Sequence, residues 1–154
     1  MRFDQYIPFA DATVAEICRA NFSSDGIGVT YADAAAVTDI GQLFKGRGIA
    51  SFDEFRFFTG IRTLPGAIFN SCDYLESIVI PANIETFGTM IFAYSSGKTP
   101  DGITITFLRG TPPQIGGAPF IYAKVKEIRV PIDSVAAYKS ANNYTAVAEK
   151  IVGV

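Results

Sequence analysis

The 154-residue sequence contains no histidine and no tryptophan, and it has only two cysteines. Without histidine, the commonest general base and the commonest transition-metal ligand are missing. Ser-His-Asp and Cys-His arrangements are therefore excluded. Cys18 and Cys72 permit one disulfide arithmetically but no disulfide scaffold. Both sit among apolar neighbours, in AEICRA and FNSCDYL, and are expected as small buried thiols. Long hydrophobic runs are also lacking. No stretch approaches the roughly 18 uninterrupted apolar residues of a membrane-spanning helix, so no membrane insertion is expected. The opening MRFDQYIPFADATV has no apolar core of signal-peptide length, so no signal peptide is visible. Charge is sparse in either sign, with 13 basic and 15 acidic residues and a net charge of -2. There is no basic field to attract nucleic acid.

What remains is a chain rich in apolar residues. Hydrophobic residues make up 49% and charged residues 18%, the balance of one folded domain spanning 1–154. Residues 1–59 read as a helical N-terminal cap. DATVAEICRANF places Val14, Ile17 and Cys18 at helical spacing, with Asp11 or Thr13 available to cap it. After the Gly-rich turn SSDGIGV, Thr30 and Asp33 resemble a capping box. The Ala-rich run that follows predicts a helix that Gly41 ends or interrupts. The aromatic FDEFRFF suggests a single helical turn.

Beyond Gly60 the pattern changes to short β-like pieces punctuated by Gly, Pro and Asn. Leu64 is followed five residues later by Phe69, Phe87 by Phe92, and Ile115 by Phe120. Leu64 and Phe87 are 23 residues apart, as are Ile105 and Ile128. A period in the low twenties with apolar residues in fixed phase predicts a short leucine-rich-repeat solenoid of parallel strands over 60–131. SSGKTPDG reads as an exposed loop insertion, and GTPPQIGG as a tight turn. Residues 132–154 read as a C-terminal cap with two short helical pieces and a final strand at IVGV. The expected class is α+β, a solenoid with helical caps at both ends.

FADATVAEICRANF, AAAVTDIGQLFKG, IASFDEFRFFTGI, AIFNSCDYLESIVIP, TFLRGTPPQIGGAPF and EIRVPIDSVAAYKSANNY, taken in this order, resemble the BspA-type leucine-rich-repeat proteins of gut Bacteroidales and their phages. The resemblance covers nearly the whole chain. It implies a helical N-terminal cap, a right-handed solenoid, a helical C-terminal cap and non-enzymatic binding or adhesion at surfaces. Relatives often carry an EF-hand-like run between the first two helices. Here that run is NFSSDGIGVTYAD. Ser24, Thr30 and Asp33 supply its oxygens, too few carboxylates for calcium, so no metal is expected.

Other chemical candidates are weak. Asp53 with Glu54, and Asp133 with Glu149, read as solvated surface acids. Phe52, Phe55, Phe57 and Phe58 read as core between cap and repeats. The candidate binding residues follow from strand alternation. With Ile78, Ile80, Ile105, Phe107, Ile128 and Val130 pointing inward, Val79, Thr106 and Arg129 form an outward row. The expectation is a binding module without cofactor, displayed extracellularly on a cell surface or virion, whose partner is a protein or glycan. The alternative is a structural virion component, such as a decoration or fibre protein, packing against virion proteins or as a homo-oligomer.

Overall fold

A computed structural model describes residues 5–154. Residues 1–4, the start of the segment read as the N-terminal cap, lie outside the described residues. The fold is α+β. Helices α1 (Ala12–Phe22) and α2 (Tyr31–Ala36) precede all the strands, and α3 (Val135–Ser140) follows all but the last. Helix α1 forms where the apolar spacing predicts it and buries Val14, Ile17 and Cys18. Asp11 caps it, its Oδ1 accepting from the Thr13 and Val14 amides at 2.8 and 3.0 Å. The other oxygen of Asp11 accepts from the Ala50 amide at 2.7 Å and ties this helix to the first strand.

Helix α2 carries the Thr30–Asp33 capping box but stops at Ala36, five residues before the predicted end at Gly41. Val37 turns extended, and the Asp39 carboxylate accepts from the Gly41 amide at 2.7 Å. This local Asx turn, with β-branched Val37 and Thr38 ahead of it, outweighs the alanine propensity.

Two parallel sheets follow. One has five strands in the order β1 (Ser51–Phe52), β3 (Ser77–Ile80), β5 (Ile103–Phe107), β7 (Val125–Val130) and β8 (Ile151–Gly153). The other has three, β2 (Thr63–Leu64), β4 (Thr86–Phe87) and β6 (Gln114–Ile115). Neither sheet closes on itself. The chain alternates between them, so each pass adds one strand to each sheet until β6. Strand β1 lies inside the segment read as helical, pairing Phe52 with Ile78. The strand pattern thus begins before Gly60. The five residues that follow β1, Asp53–Phe57, form the expected short turn as a 3-10 helix.

The five-residue spacings mark what enters the core. Leu64, Phe87 and Ile115 pair in register across β2, β4 and β6. Phe69, Phe92 and Phe120 stack behind them. Phe69 and Phe92 lie 5.4 Å apart at an interplanar angle of 12°, and Phe92 and Phe120 6.0 Å apart at 6°. Phe44 extends the column at 6.0 Å from Phe69. Each fully buried ring contributes about 1.5–3 kcal/mol by burial.

The bends around these rings are joined by their own backbone ladder. The amides of Ala67, Phe69 and Ser71 donate to the carbonyls of Thr89, Ile91 and Ala93 at 2.9–3.0 Å. Those of Met90, Phe92 and Tyr94 donate to Gly117, Pro119 and Ile121 over the same range.

The last pass is covered by the C-terminal segment. A 3-10 turn (Ile132–Ser134) leads into α3, and a 3-10 stretch (Thr145–Lys150) leads into β8. Ser134 stands at the start of α3 without capping it. Its hydroxyl instead donates to the Gly110 carbonyl at 2.7 Å. Tyr138 donates to the Arg109 carbonyl at 2.6 Å, Asn143 to Ile115 at 2.8 Å, and Tyr144 to Pro113 at 2.9 Å. Four side chains thus satisfy carbonyls that no further strand reaches.

Two substitutions test this packing. Phe92→Ala opens a cavity in the middle of the aromatic column, and chemical denaturation is expected to read a loss of about 3–5 kcal/mol. Gly88→Ala places a Cβ at 2.3 Å from the Gly66 amide nitrogen and 2.6 Å from the Gly66 Cα. A backbone cannot yield as a side chain does, so a loss of about 1–3 kcal/mol is expected in the same assay. Wild-type stability for either variant contradicts this arrangement.

Candidate functional site

The three residues assigned to the outward row stand side by side. Val79 pairs in register with Thr106, and Thr106 with Arg129. Val152 of β8 continues the row. Val79 and Thr106 are half-buried and Arg129 is exposed, while the alternate positions Ile78, Ile80, Ile105, Phe107, Ile128 and Val130 are buried. A second row, one alternation earlier, comprises Ser51, Ser77, Thr104 and Glu127. Sequence reasoning stopped short of it. Stepping back two residues from Val79, Thr106 and Arg129 finds its last three members. Arg129 Nε bonds Glu127 Oε1 at 2.6 Å and links the two rows.

Beside these rows lies an open groove of about 450 Å³. Ser77, Thr104, Lys126 and Arg129 line one part of it, and Pro100 and Asp101 another. Lys126 reaches it because β7 bulges there. Val125 faces Ile103 and Glu127 faces Thr104, which leaves Lys126 unpaired between them. A bulge redirects a side chain in this way.

The other wall is the segment read as an exposed insertion. Its tip is exposed, but Ser95, Ser96 and Thr99 are buried. Thr99 donates to the Ser96 carbonyl and accepts from the Gly102 amide. Lys124 Nζ donates to the carbonyls of Thr99 and Pro100, both at 2.9 Å. The insertion is therefore pinned, and its position relative to the strands is fixed.

Hydroxyls, two cations and carboxylates line this surface, a donor and acceptor set suited to a polar ligand. Comparison with protein-family models, curated proteins and solved structures found no match to this chain. The strand face has to be read on its own chemistry.

The remaining candidates have structural roles. Asp33 Oδ2 accepts from the amides of Thr30 and Ser24, and Thr30 Oγ1 accepts from the Asp33 amide. Asp25 accepts from the Ile27 and Gly28 amides, the Ser23 hydroxyl and, at 2.5 Å, the Tyr6 hydroxyl. The Tyr6 hydroxyl, followed by the Ile27 amide, lowers the Asp25 carboxyl to about 2. These oxygens serve the turn itself. No group of three or more potential metal-ligating carboxylates or thiols occurs among the described residues.

Phe52, Phe55 and Phe58 are core, and Phe57 is half-buried beneath Arg56 and edge-on to Tyr31. Asp133 and Glu149 are exposed, as expected. Asp53 and Glu54 are half-buried, and Glu54 turns one oxygen into the interior without a partner. Helix α2 packs on that segment, which the local sequence does not reveal.

Cys18 and Cys72 are both buried and free. Burial pushes the Cys18 thiol up to about 12 and the Cys72 thiol up to about 11. It also raises the Tyr138 and Tyr144 hydroxyls. All four hold their protons longer when folded, so folding is favoured below the unfolded-state values near 9 and 10 and loses that support above them. Denaturant titrations across pH are expected to give level stability to about pH 9 and falling stability toward pH 11. Native protein is also expected to resist thiol reagents at neutral pH and to react at both cysteines once unfolded. Unchanged stability up to pH 11, or rapid native labelling, would count against buried thiols.

Proposed function

We propose that this chain is a short leucine-rich-repeat solenoid acting as a non-enzymatic binding module. It recognises a protein or glycan through the outward strand face centred on Val79, Thr106 and Arg129. Support for the repeat architecture comes from the parallel pairing of strands 22 to 28 residues apart and the recurrence of inward rings at matching positions. Support for binding rests on one observation. The two outward rows meet a fixed, polar groove at Ser77, Thr104 and Arg129. Extended faces of this kind are the usual binding surfaces of stacked repeats. The resemblance noted in the sequence adds display outside the cytoplasm, on a cell surface or virion.

A second reading is an assembly component of a virion. It draws on the apolar side chains exposed at the C-terminal end, where Ile132 and Val154 are 65% and 66% exposed. Exposed apolar surface of this kind marks contacts between chains.

Both readings are tested by presenting the chain to intact gut bacteria, to their purified surface polysaccharides and, by sedimentation, to itself. A Thr106→Lys, Arg129→Glu double variant changes only the strand face. It is expected to weaken retention on cells or polysaccharide by about tenfold or more with the thermal midpoint nearly unchanged. If the variant is retained as well as wild type, the strand-face assignment fails. Stable self-association without binding to cells favours assembly.

A further inference from the structure

The C-terminal segment covers two sides of the last pass and leaves the third bare. Ser134, Tyr138, Asn143 and Tyr144 satisfy carbonyls between residues 109 and 115. Among the described residues, no side chain of this segment hydrogen-bonds to residues 117–122. In the two preceding passes, amides at three alternate positions donate to carbonyls of the pass that follows. The corresponding amides of the last pass are those of Ala118, Phe120 and Tyr122, which lie 28 residues beyond Met90, Phe92 and Tyr94. Among the described residues they have no acceptor. Because every bond in this ladder runs from amide to following carbonyl, its final edge offers donors only.

Both aromatic stacks end at this same edge. Phe120 closes the phenylalanine column, and Tyr122 rests 5.2 Å from Tyr94 while remaining 74% exposed. Tyr94 and Tyr122 hold left-handed backbones, with φ of 58° and 56°, at positions where Gly46 stands in the first pass. A tyrosine there carries a conformational cost that glycine avoids. Next to the edge lies a mainly apolar groove of about 490 Å³ lined by Phe120, Ile121, Val125 and Val147.

We propose that this edge is a second binding site, separate from the strand face, and that it receives a proline-rich extended segment of a partner protein. A donor-only edge needs carbonyls and leaves the amides of an ordinary incoming strand unpaired. Proline brings a carbonyl and no amide hydrogen. The chain already uses this solution in the preceding pass, where the Phe92 amide donates to the Pro119 carbonyl at 2.9 Å. A polyproline segment keeps its carbonyls free of internal bonds, and exposed tyrosine beside an apolar groove accommodates its rings. A two-fold dimer through this edge would oppose donors to donors, so a symmetric second copy does not fit.

The test is amide NMR on the labelled whole chain titrated with an oligoproline peptide, with a Gly/Ser peptide of equal length as control. Shifts are expected at Ala118, Phe120, Tyr122 and Val147 with oligoproline alone. The first three amides should exchange quickly with solvent in the free protein and slowly in the complex. Tyr122→Gly removes the ring and relaxes the backbone, so the fold is kept while affinity drops about tenfold or more. Tyr122→Phe should bind nearly as wild type. Four results would overturn the proposal: no shifts at millimolar peptide; equal shifts with the control; slow exchange of the three amides in free protein; or dilution-dependent shifts at these residues, which would make a second copy the occupant.

Discussion

One inward phenylalanine per pass, stacked on the ring of the pass before, is the contact on which the rest of the structure depends. At separations of 5.4–6.0 Å the rings fix the spacing between passes and hold them parallel. The backbone is shaped to present them. Phe69, Phe92 and Phe120 are each flanked two residues before and after by left-handed residues, Ala67 and Ser71, Met90 and Tyr94, Ala118 and Tyr122. These paired reversals turn the ring inward and aim the intervening amides along the stack. The hydrogen-bond ladder and the aromatic column are thus two results of one local conformation. At about 1–2 kcal/mol per left-handed residue, its energetic cost is comparable to the burial of a ring, so the ladder and the column together are needed to hold it.

Because adjacent passes are held on both sheets and at the bend, extra residues between them are tolerated. The insertion near Gly97 lengthens one pass without shifting the pairing of Ile78 with Ile105 or of Ile105 with Ile128. It folds back instead, with the Ser96 hydroxyl on the Leu75 carbonyl and the Lys98 amide on the Asp73 carbonyl. What reads in sequence as a floppy addition becomes a wall of the polar groove.

The inward positions were legible because burial imposes a period. Ile78, Ile105 and Ile128, and likewise Leu64, Phe87 and Ile115, recur in phase and pair as their spacing implies. Strand β1 was not legible. Its two residues lie between a Gly-rich loop and an aromatic run, and only the partner strand β3 makes Ser51–Phe52 extended. The Gly66, Gly88 and Gly116 series also went unread. Glycine usually signals a turn, whereas here the absent side chain admits a neighbouring backbone. At the candidate site, Val79, Thr106 and Arg129 followed from simple alternation. Asp101 and Lys126 did not, since one arrives by the fold-back of the insertion and the other by a bulge.

Parallel sheets are ordinarily covered on both faces, because the connections between parallel strands place helices over them, and their strands are then apolar throughout. This chain departs from that rule in a specific way. Its connections run through a second sheet, so among the described residues no helix lies over the outer face of the five-stranded sheet. The residue types there follow suit. Ser51, Ser77, Thr104, Thr106, Glu127 and Arg129 face outward, together with Val79 and Val152, while isoleucine and phenylalanine face in. Neither sheet packing nor core formation requires hydroxyls and charges at those outward positions beyond what solubility asks. The same face is bordered by a bulge and by a pinned insertion, two features that depart from the regular spacing of the passes. Their convergence on one groove is what distinguishes this surface from an ordinary solvated sheet face, and it is the physical basis of the proposal that this face binds.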